Sequence, residues 1–422
     1  MDRQHAPPDD VDVTRKRQPP PFELTGRIPL RGCSMRATAS ASDIIPRRRH
    51  RTTGARPNTA DRRYNPHMST QIVPAGGFVY LSGLAGSATG RDVGAATRTA
   101  LEHARRALAD AGTSLDQAVS ILVLLESASD FSAMNDAYRA FWRQDYPTRT
   151  TLITQLSAPG ALVEMTILAA DARGERAIVH PAGWAISPSP YSYAIKSGDT
   201  VFLSGLISRN GRDNSAVAGD VGLQTRVIFD NAGELLEAAG LSHAHIVSSR
   251  VYLPATSSFA GMNEAYRGYF ASAPPARATA QTGLAGPQYD VEITFTASSA
   301  SKRVVNEGLP PGLNLPLSAA IVAGERTYLS GALGFNQSNI GNAAAQTRET
   351  LATLQRTLGS AGMAATDLAE TVVYVTDLKY LADVDREYDA FFGTHTPART
   401  TIRSGLMAAD GLVEIMATAV KR

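Results

Sequence analysis

The chain has 422 residues, 43% hydrophobic and 19% charged, a composition that fits a globular protein of two to four domains. It has no apolar run of about 18 residues, so no transmembrane helix is expected, and its lone cysteine, Cys33, rules out an internal disulfide or a thiolate metal site. The formal charge of +2 hides an asymmetry: residues 1–63 carry 14 Lys/Arg against 7 Asp/Glu and the rest 27 against 32, so the remainder is mildly acidic and has no nucleic-acid footprint.

Residues 1–65 read as a basic disordered tail, rich in Pro, Arg and Ser (Pro19-Pro20-Pro21, Arg47-Arg48-Arg49). Two other readings stay open for it: a true start at Met68 or Met35, or a targeting or nucleic-acid-binding arm. It lacks the apolar block of a secretory signal, and Asp9, Asp10 and Asp12 count against a transit peptide.

Beyond the tail the chain repeats itself three times. An apolar strand-like run ends in Ser-Gly at Ser82-Gly83, Ser204-Gly205 and Ser330-Gly331. A stretch of variable length leads to Thr-Arg at Thr97, Thr225 and Thr347, and from there the copies align without a gap. A glycine follows by 15 (Gly112, Gly240, Gly362), a tyrosine by 26 more (Tyr138, Tyr266, Tyr388), an arginine by 11 (Arg149, Arg277, Arg399) and a glutamate by 15 (Glu164, Glu292, Glu414). The domains are therefore set at 66–172, 185–299 and 311–422, with Gly-, Pro- or Ser-bearing linkers long enough for flexible joins.

Within each copy the elements follow from periodicity. After the first two strands, apolar residues at helical spacing (Leu101, Ala104, Leu108; Phe229, Ala232, Leu236; Leu351, Leu354, Leu358) predict an amphipathic helix that a glycine terminates. Strands are expected at 119–125, 247–253 and 369–375, then a short helix carrying Phe131, Met134 and Tyr138 or their counterparts, and a final strand at 162–169, 290–297 and 412–419. Each unit reads β-β-α-β-α-β, an α+β layer architecture with both helices on one face. The period is far too long for a solenoid, so each copy owns a core.

Two side chains recur where chemistry is possible. The arginine follows a proline, as in Pro275-Ala276-Arg277, which places it at the start of a strand and suits bidentate capture of a carboxylate. The glutamate lies inside an apolar strand, as in Val291-Glu292-Ile293, where burial would raise its pKa and fit it for general acid–base work. A structural ion pair between the two is the competing reading, and Tyr138, Tyr266 and Tyr388 read as core aromatics. No metal site is expected, because His103, His243 and His245 share no repeated spacing, and no P-loop, dinucleotide fingerprint or serine elbow is present.

These motifs resemble the RidA/YjgF reactive-intermediate deaminase family over nearly everything past the tail, and the middle copy (Ser189-Pro190-Tyr191-Ser192, Val201–Gly205, Pro275–Arg277, Val291–Ile293) matches best. The resemblance implies a chorismate-mutase-like fold and a trimer with ligand clefts between units, here an intramolecular pseudo-trimer acting as a monomer. It implies hydrolysis of enamines and imines of the 2-aminoacrylate/2-iminopropanoate type to 2-keto acids and ammonia, without a cofactor; the single cysteine agrees with a reducing compartment, and a cytoplasmic location is expected. Carried over, Arg277 grips the substrate carboxylate, Glu292 activates water, Gly205 and Thr279 line the cleft and Tyr191 closes it. Their counterparts are Arg149, Glu164, Gly83 and Thr151 in the first copy and Arg399, Glu414, Gly331 and Thr401 in the third. Tyr191 aligns with Ser69 and Leu317, a departure that keeps a non-catalytic carboxylate-binding or stress-type interaction protein open, and a chorismate-type hydrolase beside it. A small carboxylate is the expected partner; nucleic acid and membrane are not.

Overall fold

The computed structural model describes residues 70–421 apart from 271 and 311; the basic tail, Cys33, both alternative starts and Ser69 lie outside the described residues. The first repeat runs β1 (Gln71–Ala75), β2 (Phe78–Gly86), α1 (Val93–Asp110), β3 (Ala118–Leu125), α2 (Phe131–Arg139), β4 (Thr148–Ile153) and β5 (Val163–Ala170). The second runs β6 (Ala177–Val179), β7 (Ala194–Ser197), β8 (Thr200–Leu203), α3 (Val221–Ala238), β9 (Ile246–Leu253), α4 (Phe259–Arg267), β10 (Ala276–Gln281), β11 (Gly283–Leu284) and β12 (Glu292–Ser298). The third runs β13 (Lys302–Val305), β14 (Ala320–Ala323), β15 (Arg326–Leu333), α5 (Ala343–Ala361), β16 (Leu368–Val375), α6 (Leu381–Phe392), β17 (Ala398–Arg403), β18 (Gly405–Leu406) and β19 (Val413–Val420). The α+β repeat stands as expected, and the Pro-x-Arg segment contributes a strand of its own before the last one.

The long helices begin ahead of the Thr-Arg pair because a short polar side chain caps each of them. Asp92, Asp220 and Asn342 accept hydrogen bonds from the backbone N–H of Ala95, Leu223 and Ala345. Gly112, Gly240 and Gly362, each with φ near +80°, terminate them in a conformation that costs other residues energy. The expected apolar stripe faces inward: Leu101, Leu108, Phe229, Leu236, Leu351 and Leu358 are all buried against their own sheet.

In each sheet the strand carrying the glutamate lies at the centre and the strand carrying the arginine lies toward an edge. The first sheet orders as β1-β2-β5-β3-β4 and ends on β11 of the second repeat; the second ends on β18 of the third. The pairs β3–β4, β9–β10 and β16–β17 are parallel, which requires a crossover that α2, α4 and α6 supply. The opposite faces of the sheets pack on each other. Leu124, Tyr252 and Tyr374, which hold one register position in the three repeats, share a core with Leu152, Ala280 and Ile402. Three units of one chain thus close around a common interior.

The linkers depart from expectation. They are not flexible joins, because each supplies a strand to the following sheet, β6 on β7 and β13 on β14. A cation at each linker also grips the preceding repeat. Arg176 donates to the carbonyls of Ala118 (2.8 Å) and Asp145 (2.6 Å), and Lys302 to those of Ile246 (2.9 Å) and Ala273 (2.8 Å). No helix among the described residues is long and apolar enough to cross a membrane.

Candidate active site

The Ser-Gly pair lies at a break in its strand. Pairing of β2 with β5 skips from Leu81 to Leu84, and that of β15 with β19 from Leu329 to Ala332, a bulge that takes both residues of the pair out of register with the glutamate strand, while Ser82 still pairs with Gln71 of β1. The freed serine reaches across the seam to the next arginine strand. Ser204 Oγ accepts from the backbone N–H of Arg149 (2.9 Å), and Ser330 Oγ from that of Arg277 (2.7 Å). At the third seam Gln71 intervenes: its Oε1 accepts both from Arg399 N–H (2.8 Å) and from Ser82 Oγ (3.0 Å). Every arginine is therefore positioned by its neighbour.

This staple decides which residues meet, and it splits the expected middle-copy site. Tyr191, Gly205 and Glu292 stand with Arg149 of the first repeat, not with Arg277. The Gly205 N–H donates to the Arg149 carbonyl (3.0 Å), and the guanidinium lies 5.7 Å from the Tyr191 ring. Arg277 and Thr279 stand instead with Gly331, Leu317 and Glu414 of the third repeat. Arg399 and Thr401 share the last seam with Gly83 and Glu164. The arginine and glutamate of one repeat face different clefts, so the ion pair between them does not form.

At the 1–2 and 2–3 seams the glycine lets the glutamate carboxyl lie directly against the backbone. A Cβ on Gly205 or Gly331 would come 1.8 Å from Oε1 of Glu292 or Glu414. Burial pushes both carboxyls up to about 8, opposed by the attraction of Arg149 in one cleft and Arg277 in the other. The backbone N–H of Thr279 also donates to Glu414. Burial lowers both arginines from an intrinsic value so high that they remain cations at neutral pH.

The recurring tyrosines are buried, as expected of core residues, and they have a second role beneath the guanidinium. Ring-to-guanidinium distances are 5.0 Å for Tyr138–Arg149, 4.8 Å for Tyr266–Arg277 and 4.8 Å for Tyr388–Arg399. Phe131 adds a ring 5.5 Å from Arg149. Arg277 is 2% exposed, yet its Nε and Nη1 have no hydrogen-bond partner among the described residues. It lines a cavity of about 430 Å³ with Glu414, Thr279, Ser330 and Gly331.

The 3–1 seam differs. Asp385 pairs with Arg399 Nη1 at 2.8 Å, and Thr401 Oγ1 accepts from Arg399 Nε at 3.2 Å. Glu164 is held by the backbone N–H of Ala158 and by Ser157 Oγ at 3.1 Å. Burial still raises its pKa, against those hydrogen bonds. The space beside them is about 40 Å³. Thr151, the remaining expected residue, is buried on β4. Sequence reasoning passed over Asp385, although its equivalents in gap-free register, Asn135 and Asn263, are neutral. The three occurrences of Ser-Gly were visible, but the role of the serine was not.

The chain belongs to the family described as Endoribonuclease L-PSP, the RidA/YjgF family, whose profile matches residues 56–171, 184–299 and 311–421. A RutC family protein of Sulfurisphaera tokodaii is 38% identical over 109 residues, 26% of this chain and 87% of that protein. Reactive Intermediate Deaminase A, chloroplastic, of Arabidopsis thaliana is 34% identical over 109 residues, 26% of this chain and 58% of that protein. Among solved structures, a chorismatase superposes with a TM-score of 0.51 over 72% of this chain and 93% of that one; at 14% identity the likeness is one of fold.

Proposed function

We propose that this protein hydrolyses enamines and imines of the 2-aminoacrylate/2-iminopropanoate type to 2-keto acids and ammonia, at the 1–2 and 2–3 seams. One observation carries the reading: Arg277, buried and with its Nε and Nη1 lacking a hydrogen-bond partner among the described residues, lines one cavity with the Glu414 carboxyl, which burial pushes up to about 8. The guanidinium binds the substrate carboxylate and so fixes the imine carbon. The Glu414 carboxyl gives its proton to the imine nitrogen, and the resulting carboxylate takes a proton from water as its oxygen bonds to that carbon. The same carboxyl then protonates the amine of the carbinolamine and accepts the hydroxyl proton as the C–N bond breaks, releasing ammonia and the keto acid. Arg149 and Glu292 make the equivalent pair, and no cofactor enters.

The relative named a reactive intermediate deaminase supports this reading. The test is ammonia release from 2-aminoacrylate generated in situ. Arg149→Ala with Arg277→Ala is expected to abolish the enzymatic rate, whereas Arg399→Ala retains it. Turnover unaffected by the double substitution overturns the reading. Stabilisation by small carboxylates with no turnover by the wild type selects a binding protein instead.

A further inference from the structure

The 1–2 and 2–3 seams hold the same arginine–carboxyl pair behind different walls. The segment entering the second repeat places Ser187, Ser189 and Tyr191 at alternate positions; in the same register before the third repeat stand Leu313, Leu315 and Leu317. All three leucines line the 430 Å³ cavity, and Phe259, Leu333 and Met407 complete an apolar wall around it. The charged lining side chains are Arg277 and Glu414, both buried, and Arg356, which is exposed. A volume in the range of roughly 300–1,000 Å³ takes a ligand far larger than a three-carbon acid.

We infer that the 2–3 cleft prefers carboxylates bearing a bulky apolar side chain, branched, long-chain or aromatic, with the carboxylate on Arg277 and the side chain against Leu313, Leu315 and Leu317, over the small acids it also accepts. The inference rests on the proposed carboxylate-binding role of that cleft and names the substrate class within it. At the 1–2 seam the register puts Ser187 and Ser189 where Leu313 and Leu315 stand, and the Tyr191 ring lies 5.7 Å from Arg149, so that seam lacks the apolar wall and is expected to favour the smaller acids. One chain then handles two size classes.

The experiment is a ligand-observed NMR titration of the full chain carrying Arg149→Ala, so that the 2–3 cleft reports alone. The probes are propionate, hexanoate and 3-phenylpropionate. Each methylene removed from water is a gain of about fourfold, so hexanoate and 3-phenylpropionate are expected to bind at least about tenfold tighter than propionate. Adding Leu313→Ser and Leu315→Ser, the residues of the other seam, is expected to bring that ratio below about threefold while propionate affinity holds. Leu313 is 39% exposed, so its single substitution is a second variant that tolerates the change, with a smaller drop in the ratio expected. A ratio near one in the parent, or a ratio that both serine variants leave untouched, overturns the inference. A preserved ratio without ammonia release from any imino acid overturns the deaminase reading alone. Equal turnover of small and bulky imino acids with a ratio near one overturns this inference alone.

Discussion

Arg277 and Arg399 occupy one position in successive repeats, each over a buried tyrosine, and one of the differences between them is the side chain at a helical site beside the guanidinium. Where the second repeat has Asn263, the third has Asp385, whose carboxylate neutralises Arg399 internally. Asp385→Asn is expected to add one binding equivalent for an acetate-sized anion, counted by titration, and to lower stability by about 1–3 kcal/mol in urea unfolding, because a buried guanidinium loses its charged acceptor. The glutamates give a pH signature. Glu292 and Glu414 keep their protons in the fold up to about 8, while an unfolded chain releases them near 4.5. Between those values the folded state binds more protons, so their contribution to stability is lost as pH rises through the window. The variant with Glu292→Gln and Glu414→Gln is expected to lose less stability between about pH 5 and 8 than the parent, measured by denaturant unfolding at each pH.

At the scale of elements, the break in β15 frees Ser330 to hold Arg277 and leaves Gly331 over the Glu414 carboxyl. Gly331→Ala forces that carboxyl aside, and turnover at the 2–3 seam is expected to fall at least tenfold, at a stability cost of about 1–3 kcal/mol, read by ammonia assay and thermal melt. Much of this level was legible beforehand. The helical stripe of Leu101, Ala104 and Leu108 and the strand before Leu125 follow from local periodicity, which one sequence contains. Pairing across seams is not local. Nothing in the spacing of Arg277 and Glu292 says that a serine of the next repeat draws Arg277 to Glu414, so the residues were recognisable while their grouping was not. The linkers misled for a related reason: glycine, proline and serine signal a loop, but Ala177–Val179 and Lys302–Val305 gain strand structure from a sheet edge that only the assembled chain presents.

At the scale of the molecule, the shared interior of Leu124, Tyr252 and Tyr374 gives each repeat the neighbours it needs. The protein is proposed to act as a monomer; light scattering is expected to give a mass near 44.7 kDa at all concentrations, and a mass three times larger contradicts it. The seams are also chemically unequal. In a ring of identical subunits every substitution appears three times, so a change that disables one pocket disables all. Here Asp385 and the leucines before β14 are each encoded once, so a substitution can alter one seam and leave the other two as they were.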